Sequence, residues 1–109
     1  GMARGIDGEA HQGALDAGGR SVAVLGTGSD IAYPSEHGAL MRRILERGGT
    51  VTEFPPGTPP RPLHFPRRNR ILAALCEVVI VASGLSTPMA MLKSFQESWP
   101  HASFWLIPA

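Results

Sequence analysis

"SVAVLGTGSD", residues 21–30, is a short apolar run that leads into two glycines separated by a single residue. Its small and β-branched side chains are typical of a strand that is buried on both faces. The stretch "EVVIVAS", residues 77–83, has the same pattern in a stronger form. Strands of this kind belong to parallel sheets that helices cover on both sides, so the two stretches predict such a sheet.

Segments of helical periodicity alternate with these apolar runs. Four helices are predicted: at about residues 7–17, at 35–47, from about Pro66 and at 87–99. Two further strands are predicted at residues 50–54 and 102–109. The order α-β-α-β-α-β-α-β favours right-handed crossovers between parallel strands. We therefore predict an α/β fold, with a Rossmann-like parallel sheet of about four strands and helices on both faces, in a single domain over residues 1–109.

The composition is that of an ordinary globular domain, with 43% apolar and 17% charged residues in a chain of 109. The formal net charge of +1 does not by itself indicate a nucleic-acid partner. The distribution of charge is more informative, because residues 54–76 hold four arginines and no acidic residue.

The chain has one cysteine, Cys76, which cannot form an internal disulfide and lies in an apolar stretch. A buried, unreactive thiol in a reducing compartment is therefore expected. The sequence has no run of about 18 apolar residues and no signal-peptide layout at its beginning. We therefore expect a cytoplasmic protein.

The loops after the predicted strands are where a ligand is expected, because ligands of open α/β sheets lie outside the carboxyl ends of the strands. In the first loop, Gly26 and Gly28 match the start of a dinucleotide-binding fingerprint, but Ile31 stands where its third glycine is required. A tight strand-to-helix turn is favoured over a nicotinamide-dinucleotide site. The second loop, residues 55–66, holds six of the ten prolines and is predicted to be stiff.

"HFPRRNRILAAL", residues 64–75, places three arginines and an asparagine at the start of a predicted helix. Arg67 and Arg70 are three positions apart and therefore lie on one face of that helix. Positive charge in the first turn opposes the helix dipole unless an anion compensates it, which favours a bound phosphate. A basic helix end that pairs with Glu53 or Glu77 remains an open alternative.

Arg4 comes just before a helix that Asp7 is predicted to cap, so an anion is a candidate ligand there, with a solvated arginine as the alternative. The four histidines lack the spacing of metal ligands, and no metal site is predicted. Ser29, Asp30 and His37 lack the nucleophile-elbow pattern of a hydrolase, and no catalytic residue is predicted.

Four longer stretches carry a family resemblance: "GMARGIDGEAHQGAL", "GGRSVAVLGTGSDIAYPSEHGAL", "TEFPPGTPPRPLHFPRRNRILAAL" and "VVIVA". In this order and spacing they resemble the central Rossmann-like domain of the DprA/Smf DNA-processing family. The resemblance covers about residues 1–82. It indicates one DprA-like domain, truncated at its N-terminus and divergent after about residue 82.

The resemblance implies single-stranded DNA binding in DNA processing, natural transformation and recombination, with the RecA recombinase as a partner. It implies no enzymatic activity and no cofactor. The nucleic-acid-binding and phosphate-binding residues that it implies are Arg4, Gly5, Gly26, Gly28, Arg67, Arg68, Asn69 and Arg70. Phosphate contacts of this kind depend on salt and hardly on base sequence, and Tyr33 and Phe65 are candidates for stacking on bases.

Two alternatives remain. One is a nucleotide-binding or nucleoside-monophosphate-hydrolysing protein of the lysine-decarboxylase-like Rossmann group, although that group's Pro-Gly-Gly-x-Gly-Thr-x-x-Glu signature is absent. The other is a self-associating remnant without affinity for nucleic acid. If the family's preceding strands are missing, a sheet edge and an apolar helix face are exposed, which predicts a homodimer or a larger assembly.

Overall fold

The computed structural model of the chain describes residues 1–83 and 104–108. The α-helices in this part are α1 (Ile6–Asp16), α2 (Gly38–Arg47) and α3 (His64–Leu75), and a short 3₁₀ turn, Ser35–His37, leads into α2. The strands are β1 (Val22–Val24), β2 (Gly49–Val51), β3 (Val79–Ser83) and β4 (Phe104–Pro108). No helix in these two ranges is both long and apolar enough to cross a membrane. The helix predicted at 87–99 lies outside the described residues.

The strands pair in parallel, as the sequence predicts. Ala23 of β1 lies opposite Thr50 of β2, and Val81 of β3 lies opposite Leu106 of β4. Within the described residues these pairs form two two-stranded ladders. A parallel pair requires a crossover connection, and α2 provides it between β1 and β2. The predicted α/β fold with a small parallel sheet and helices is confirmed.

The hydrophobic core lies between α1, α2 and β1. Its buried members are Met2, Leu15, Ala23, Leu25, Leu40, Met41 and Ile44. On α2 the buried residues follow helical spacing, whereas Arg42 and Arg47 are exposed. The apolar pattern of residues 35–47 predicts that Leu45 shares this inner face with Leu40, Met41 and Ile44. Leu45 is instead exposed, because it lies about 100° round the helix from Ile44.

The helix α3 begins at His64, two residues earlier than predicted. Pro66 therefore lies in the first turn, where a residue without an N–H loses no helical hydrogen bond. The early start also places Arg67 beyond the first three helical positions. Because the helix dipole acts mainly within the first turn, the arginines are less unfavourable than the sequence indicated, and this argument for a bound phosphate is weaker.

The inner face of α3 also differs from the prediction. The sequence predicts that its inner residues are Ile71, Leu72 and Leu75. The residues that the structure buries on this helix are instead Arg68, Asn69 and Ala73. Leu75 is 61% exposed. The physical reason is that the Arg68 guanidinium reaches a main-chain carbonyl of β1, which turns that face of the helix inward.

The expectation of a buried thiol is wrong, because Cys76 is exposed. Cys76 is the residue at which the chain leaves α3, and its backbone is already extended (φ −102°, ψ 137°). The apolar residues next to Cys76 in sequence therefore do not indicate that its side chain lies in the core.

Candidate nucleic-acid interface

The candidate interface lies at the carboxyl ends of β1 and β2, where ligands of such sheets bind. β1 leads into Gly26, and β2 leads into Glu53 and Phe54. The first turn of α3 lies against this edge: Nδ1 of His64 is 2.9 Å from the carbonyl oxygen of Gly26. The rings of Phe54 and His64 are stacked, with centroids 4.0 Å apart. Two strand ends and one helix start therefore meet at one place.

Gly26 and Gly28 allow close approach of chain segments. A Cβ atom on Gly26 would lie 3.0 Å from the Phe65 ring, so glycine lets α3 approach the end of β1. A Cβ atom on Gly28 would lie 2.6 Å from the carbonyl oxygen of Pro55. The N–H of Gly28 donates to the carbonyl of Thr58 at 3.0 Å. Packing thus accounts for both glycines, and their contact with phosphate stays a prediction.

Side-chain hydrogen bonds join the glycine turn to the proline-rich loop. The carboxylate of Asp30 accepts the N–H of Gly57 at 2.8 Å. The hydroxyl of Thr52 donates to the carbonyl of Thr27 at 2.7 Å. Gly57 has a φ of 84°, a left-handed conformation that glycine adopts without strain. The two loops therefore form one fixed unit beside α3.

Arg68 and Asn69 lie inside the protein. Arg68 is 4% exposed, and its guanidinium donates to the carbonyl of Val24 at 2.8 Å and to Oδ1 of Asn69 at 3.3 Å. It also lies 5.6 Å from the centroid of the Phe65 ring. Burial lowers the pKa of Arg68, and the charge of Asp7 opposes this effect. Arg68 thus does not share the solvent-facing side expected for the arginines, because its side chain attaches α3 to β1.

Arg67 and Arg70 point outward, and both pair with Glu53. Nε of Arg67 lies 3.2 Å from Oε1 of Glu53, and Arg70 forms an ion pair with Oε2 of the same carboxylate. The arginine side chains are 63% and 48% exposed, whereas that of Glu53 is 23% exposed. The guanidinium of Arg67 also lies 5.9 Å from the centroid of the Phe54 ring. Pairing with Glu53, left open by the sequence, is therefore present.

Arg4 reaches the interface from the segment before α1. Its exposed guanidinium pairs with the exposed carboxylate of Glu36 and lies 6.0 Å from the centroid of the Tyr33 ring. The hydrogen bond from Arg4 lowers the pKa of Glu36 and raises that of Arg4. Gly5 has a φ of 81° and directly precedes α1, so it, and not Asp7, occupies the N-cap position. The ring of Tyr33 lies 5.6 Å from that of Phe65, on α3.

Two arginine–ring contacts, Arg4 with Tyr33 and Arg67 with Phe54, each reach an aromatic residue in the first turn of α3. We use the term arginine–aromatic surface for Arg4, Tyr33, Phe54, Arg67 and Arg70. Exposed guanidiniums bind phosphate oxygens with two parallel hydrogen bonds, and aromatic faces stack on bases of any identity. The surface therefore has the chemical groups that binding of a single-stranded polynucleotide requires.

Two of the three side chains considered for hydrolysis, those of Asp30 and His37, make structural contacts. Asp30 holds the N–H of Gly57, and Nδ1 of His37 lies 3.0 Å from the carbonyl oxygen of Met2. Among residues 1–83 and 104–108, no three His, Cys, Asp or Glu side chains are grouped to hold a metal ion.

Sequence reasoning missed two residues of this site. Phe54 was assigned only to a strand, although an aromatic residue next to the proline-rich loop was a usable signal. The partnership of Glu36 with Arg4 spans 32 positions of the chain and has no sequence signal. Such a contact emerges only when the segment before α1 and the turn before α2 are folded together.

Comparison with known proteins gives one family. Residues 1–87 match the family model described as DNA recombination-mediator protein A. The chain is 50% identical over 82 residues to Protein Smf of Escherichia coli strain K12, which covers 74% of this chain and 22% of that protein. It is 48% identical over 82 residues to the DNA processing protein DprA of Streptococcus pneumoniae strain R6, covering 75% of this chain and 29% of that protein.

A solved structure gives the same result for the fold. The X-ray structure of DNA processing protein A (DprA) from Streptococcus pneumoniae superimposes with a TM-score of 0.82 at 36% sequence identity. The match covers 100% of this chain and 38% of that chain. The chain therefore spans well under half the length of the relatives and of the solved structure that it matches.

Proposed function

Because the chain belongs to the DNA recombination-mediator protein A family, we propose that it binds single-stranded DNA through its arginine–aromatic surface, in DNA processing during transformation and recombination. The observation that carries the proposal is the outward position of Arg67 and Arg70, with Arg67 beside the stacked ring of Phe54. Arg4 and Tyr33 extend the same chemistry beyond α3.

Each residue group has its own role in the proposed complex. Arg4, Arg67 and Arg70 bind backbone phosphates, and Tyr33 stacks on a base. Arg68 and Asn69 support the surface from inside, because they attach α3 to the end of β1. Gly5, Gly26 and Gly28 allow the backbone geometry and close packing that bring these segments together. Binding through phosphates and ring faces is then nearly independent of base sequence.

The proposal includes a binding role without catalysis and two partners, the RecA recombinase and a second copy of the chain. The names of the relatives support DNA processing as the setting. The absence of the Pro-Gly-Gly-x-Gly-Thr-x-x-Glu signature supports binding over nucleotide hydrolysis.

The test is a titration of labelled oligothymidylate with the chain and with an Arg67→Ala/Arg70→Ala variant. We expect the variant to lose about tenfold or more in affinity, because two charged hydrogen-bonding groups are removed. The matched control is Arg42→Ala/Arg47→Ala, which removes two exposed arginines from α2 and the same net charge. Equal losses in the two variants would assign binding to net charge alone and would contradict the proposed site.

A further inference from the structure

We infer that Glu53 is a positioning residue of this interface: it bridges Arg67 and Arg70 so that their two guanidiniums bind the same phosphodiester. The inference rests on the proposed function and identifies the residue that prepares its phosphate contacts. Charge repulsion alone would make the carboxylate of Glu53 unfavourable beside DNA, which is also negatively charged.

The two oxygens of Glu53 serve two different arginines. Oε1 lies 3.2 Å from Nε of Arg67, and Oε2 accepts a hydrogen bond from a terminal nitrogen of Arg70. The arginines are three positions apart on α3 and therefore neighbours on one helix face. A single carboxylate thus sets the separation of two long side chains. Two side chains that are ordered before binding lose less conformational entropy when the ligand arrives.

Burial differs between the carboxylate and its partners. The side chain of Glu53 is the least exposed of the three, and both arginines face the solvent. The next residue, Phe54, is stacked on His64, which in turn contacts the carbonyl of Gly26. The backbone that carries Glu53 is therefore anchored to the end of β1. The carboxylate holds its position, and the two arginines project from it into the solvent.

The cluster of Glu53, Arg67 and Arg70 has the net charge and the free hydrogen-bond donors needed to bind a phosphodiester. Two guanidiniums and one carboxylate carry a net charge of +1, which matches the single negative charge of a backbone phosphate. Each guanidinium has five N–H donors in a planar fork. Contact with one carboxylate oxygen uses only part of that fork, so both arginines keep donors for the ligand.

Glu36 provides the contrast. Within the part of the chain that the structure describes, it pairs with Arg4 alone, and the two side chains are 52% and 65% exposed. Both oxygens of Glu36 accept hydrogen bonds from this one guanidinium, from Nε and from a terminal nitrogen. The carboxylate therefore occupies the edge of the guanidinium that would bind a phosphate with two parallel hydrogen bonds. Glu36 therefore competes with the ligand for its arginine, whereas Glu53 prepares two arginines for it. The same substitution should therefore weaken DNA binding at Glu53 but not at Glu36.

The experiment compares Glu53→Gln with Glu36→Gln in the 109-residue chain, by fluorescence anisotropy with labelled oligothymidylate. Each variant removes one negative charge next to an interface arginine. We expect Glu53→Gln to weaken binding by about threefold to tenfold and Glu36→Gln to leave it unchanged or slightly stronger. Tighter binding by Glu53→Gln would overturn the inference.

To distinguish a positioning role of Glu53 from a merely structural one, Glu53→Gln is also made in the Arg67→Ala/Arg70→Ala variant. If Glu53 acts through the two arginines, Glu53→Gln causes no further loss there. A further loss of the same size would mean that Glu53 supports the fold, and it would overturn the inference. Glu53→Asp, which keeps a shorter carboxylate, should recover part of the affinity.

The same variants distinguish the two levels of the argument. If Arg67→Ala/Arg70→Ala binds as tightly as the unsubstituted chain, the proposed interface itself is wrong. If that variant binds weakly but Glu53→Gln binds normally, the interface stands and only the role of Glu53 is wrong.

Discussion

The two sides of α3 use the same residue type in opposite ways. Arg67 and Arg70 lie outside and share the carboxylate of Glu53. Arg68, between them in sequence, is buried and donates to the carbonyl of Val24. Successive helical residues point about 100° apart, so a run of arginines cannot face one direction. A basic motif can therefore combine a structural residue with ligand-binding residues.

This division separates stability from affinity. Substitutions on the inner side of α3 should change the free energy of unfolding, and those on the outer side should change DNA affinity. Arg68→Ala tests this division directly, and variants of Gly28 and His11 test the packing of buried residues outside α3, from the largest expected effect on stability to the smallest.

Arg68→Ala should destabilise the chain by about 3 kcal/mol, because it leaves the buried carbonyl of Val24 without its donor and opens a cavity. Arg67→Ala, one position away and exposed, should change stability by no more than about 0.5 kcal/mol. Urea unfolding followed by circular dichroism measures both. Equal stabilities of the two variants would remove the distinction between inner and outer arginines.

Gly28→Ala tests the packing that holds the proline-rich loop beside α3. Its Cβ would lie 2.6 Å from the carbonyl oxygen of Pro55, so we expect a loss of about 1–3 kcal/mol in stability. Gly13→Ala is the matched control, because a Cβ at that position in α1 meets no atom within 4 Å. The control should stabilise the helix by about 0.5–1 kcal/mol. A stabilising Gly28→Ala would show that the two loops are not packed as described.

The buried ring of His11 is expected to make the free energy of unfolding depend on pH. Its ring lies 2.5 Å from Oγ of Ser21 and 2.6 Å from the carbonyl oxygen of Gly1, and burial lowers its pKa. As the pH falls, the unfolded chain binds this proton first. The contribution is therefore fully present above about pH 6.5 and is lost as the pH falls towards the lowered pKa of the folded state.

The effect of His11 should not exceed about 1.4 kcal/mol per pH unit. Urea titrations at about pH 7.5 and about pH 5.5, on either side of the usual histidine pKa, measure it. In His11→Gln the part of the pH dependence that comes from this ring should disappear. An identical change in stability with pH in the two proteins would contradict the assignment.

Much of the fold could be predicted from sequence, because periodicity and turn residues are local signals. The β-branched run before Gly26 and the apolar stripe of α2 became a strand and a helix as predicted. The inner face of α3 could not be predicted, because hydrophobicity favours Leu75 over Arg68 for the interior. Burial of this arginine becomes favourable because its guanidinium donates to a carbonyl at the end of β1, which is far away in sequence.

The site was predictable to a similar degree. The positions of Arg67 and Arg70 on one face followed from helical spacing, and Glu53 was one of two acidic partners that the sequence left open. That one carboxylate holds both arginines depends on where β2 ends relative to α3, which no local pattern encodes. The contact of Arg4 with Glu36 depends on tertiary structure in the same way.

The most direct test of the central claim, that the outer arginines bind backbone phosphates, is the salt dependence of single-stranded DNA binding. The magnitude of the slope of log Kobs against log salt concentration increases by about 0.7 for each phosphate that the protein neutralises on a single strand. We predict that Arg67→Ala/Arg70→Ala lowers the magnitude of the slope by about 0.7, because the two arginines together neutralise one phosphate, while Arg42→Ala/Arg47→Ala leaves it unchanged. An unchanged slope in Arg67→Ala/Arg70→Ala would contradict the account.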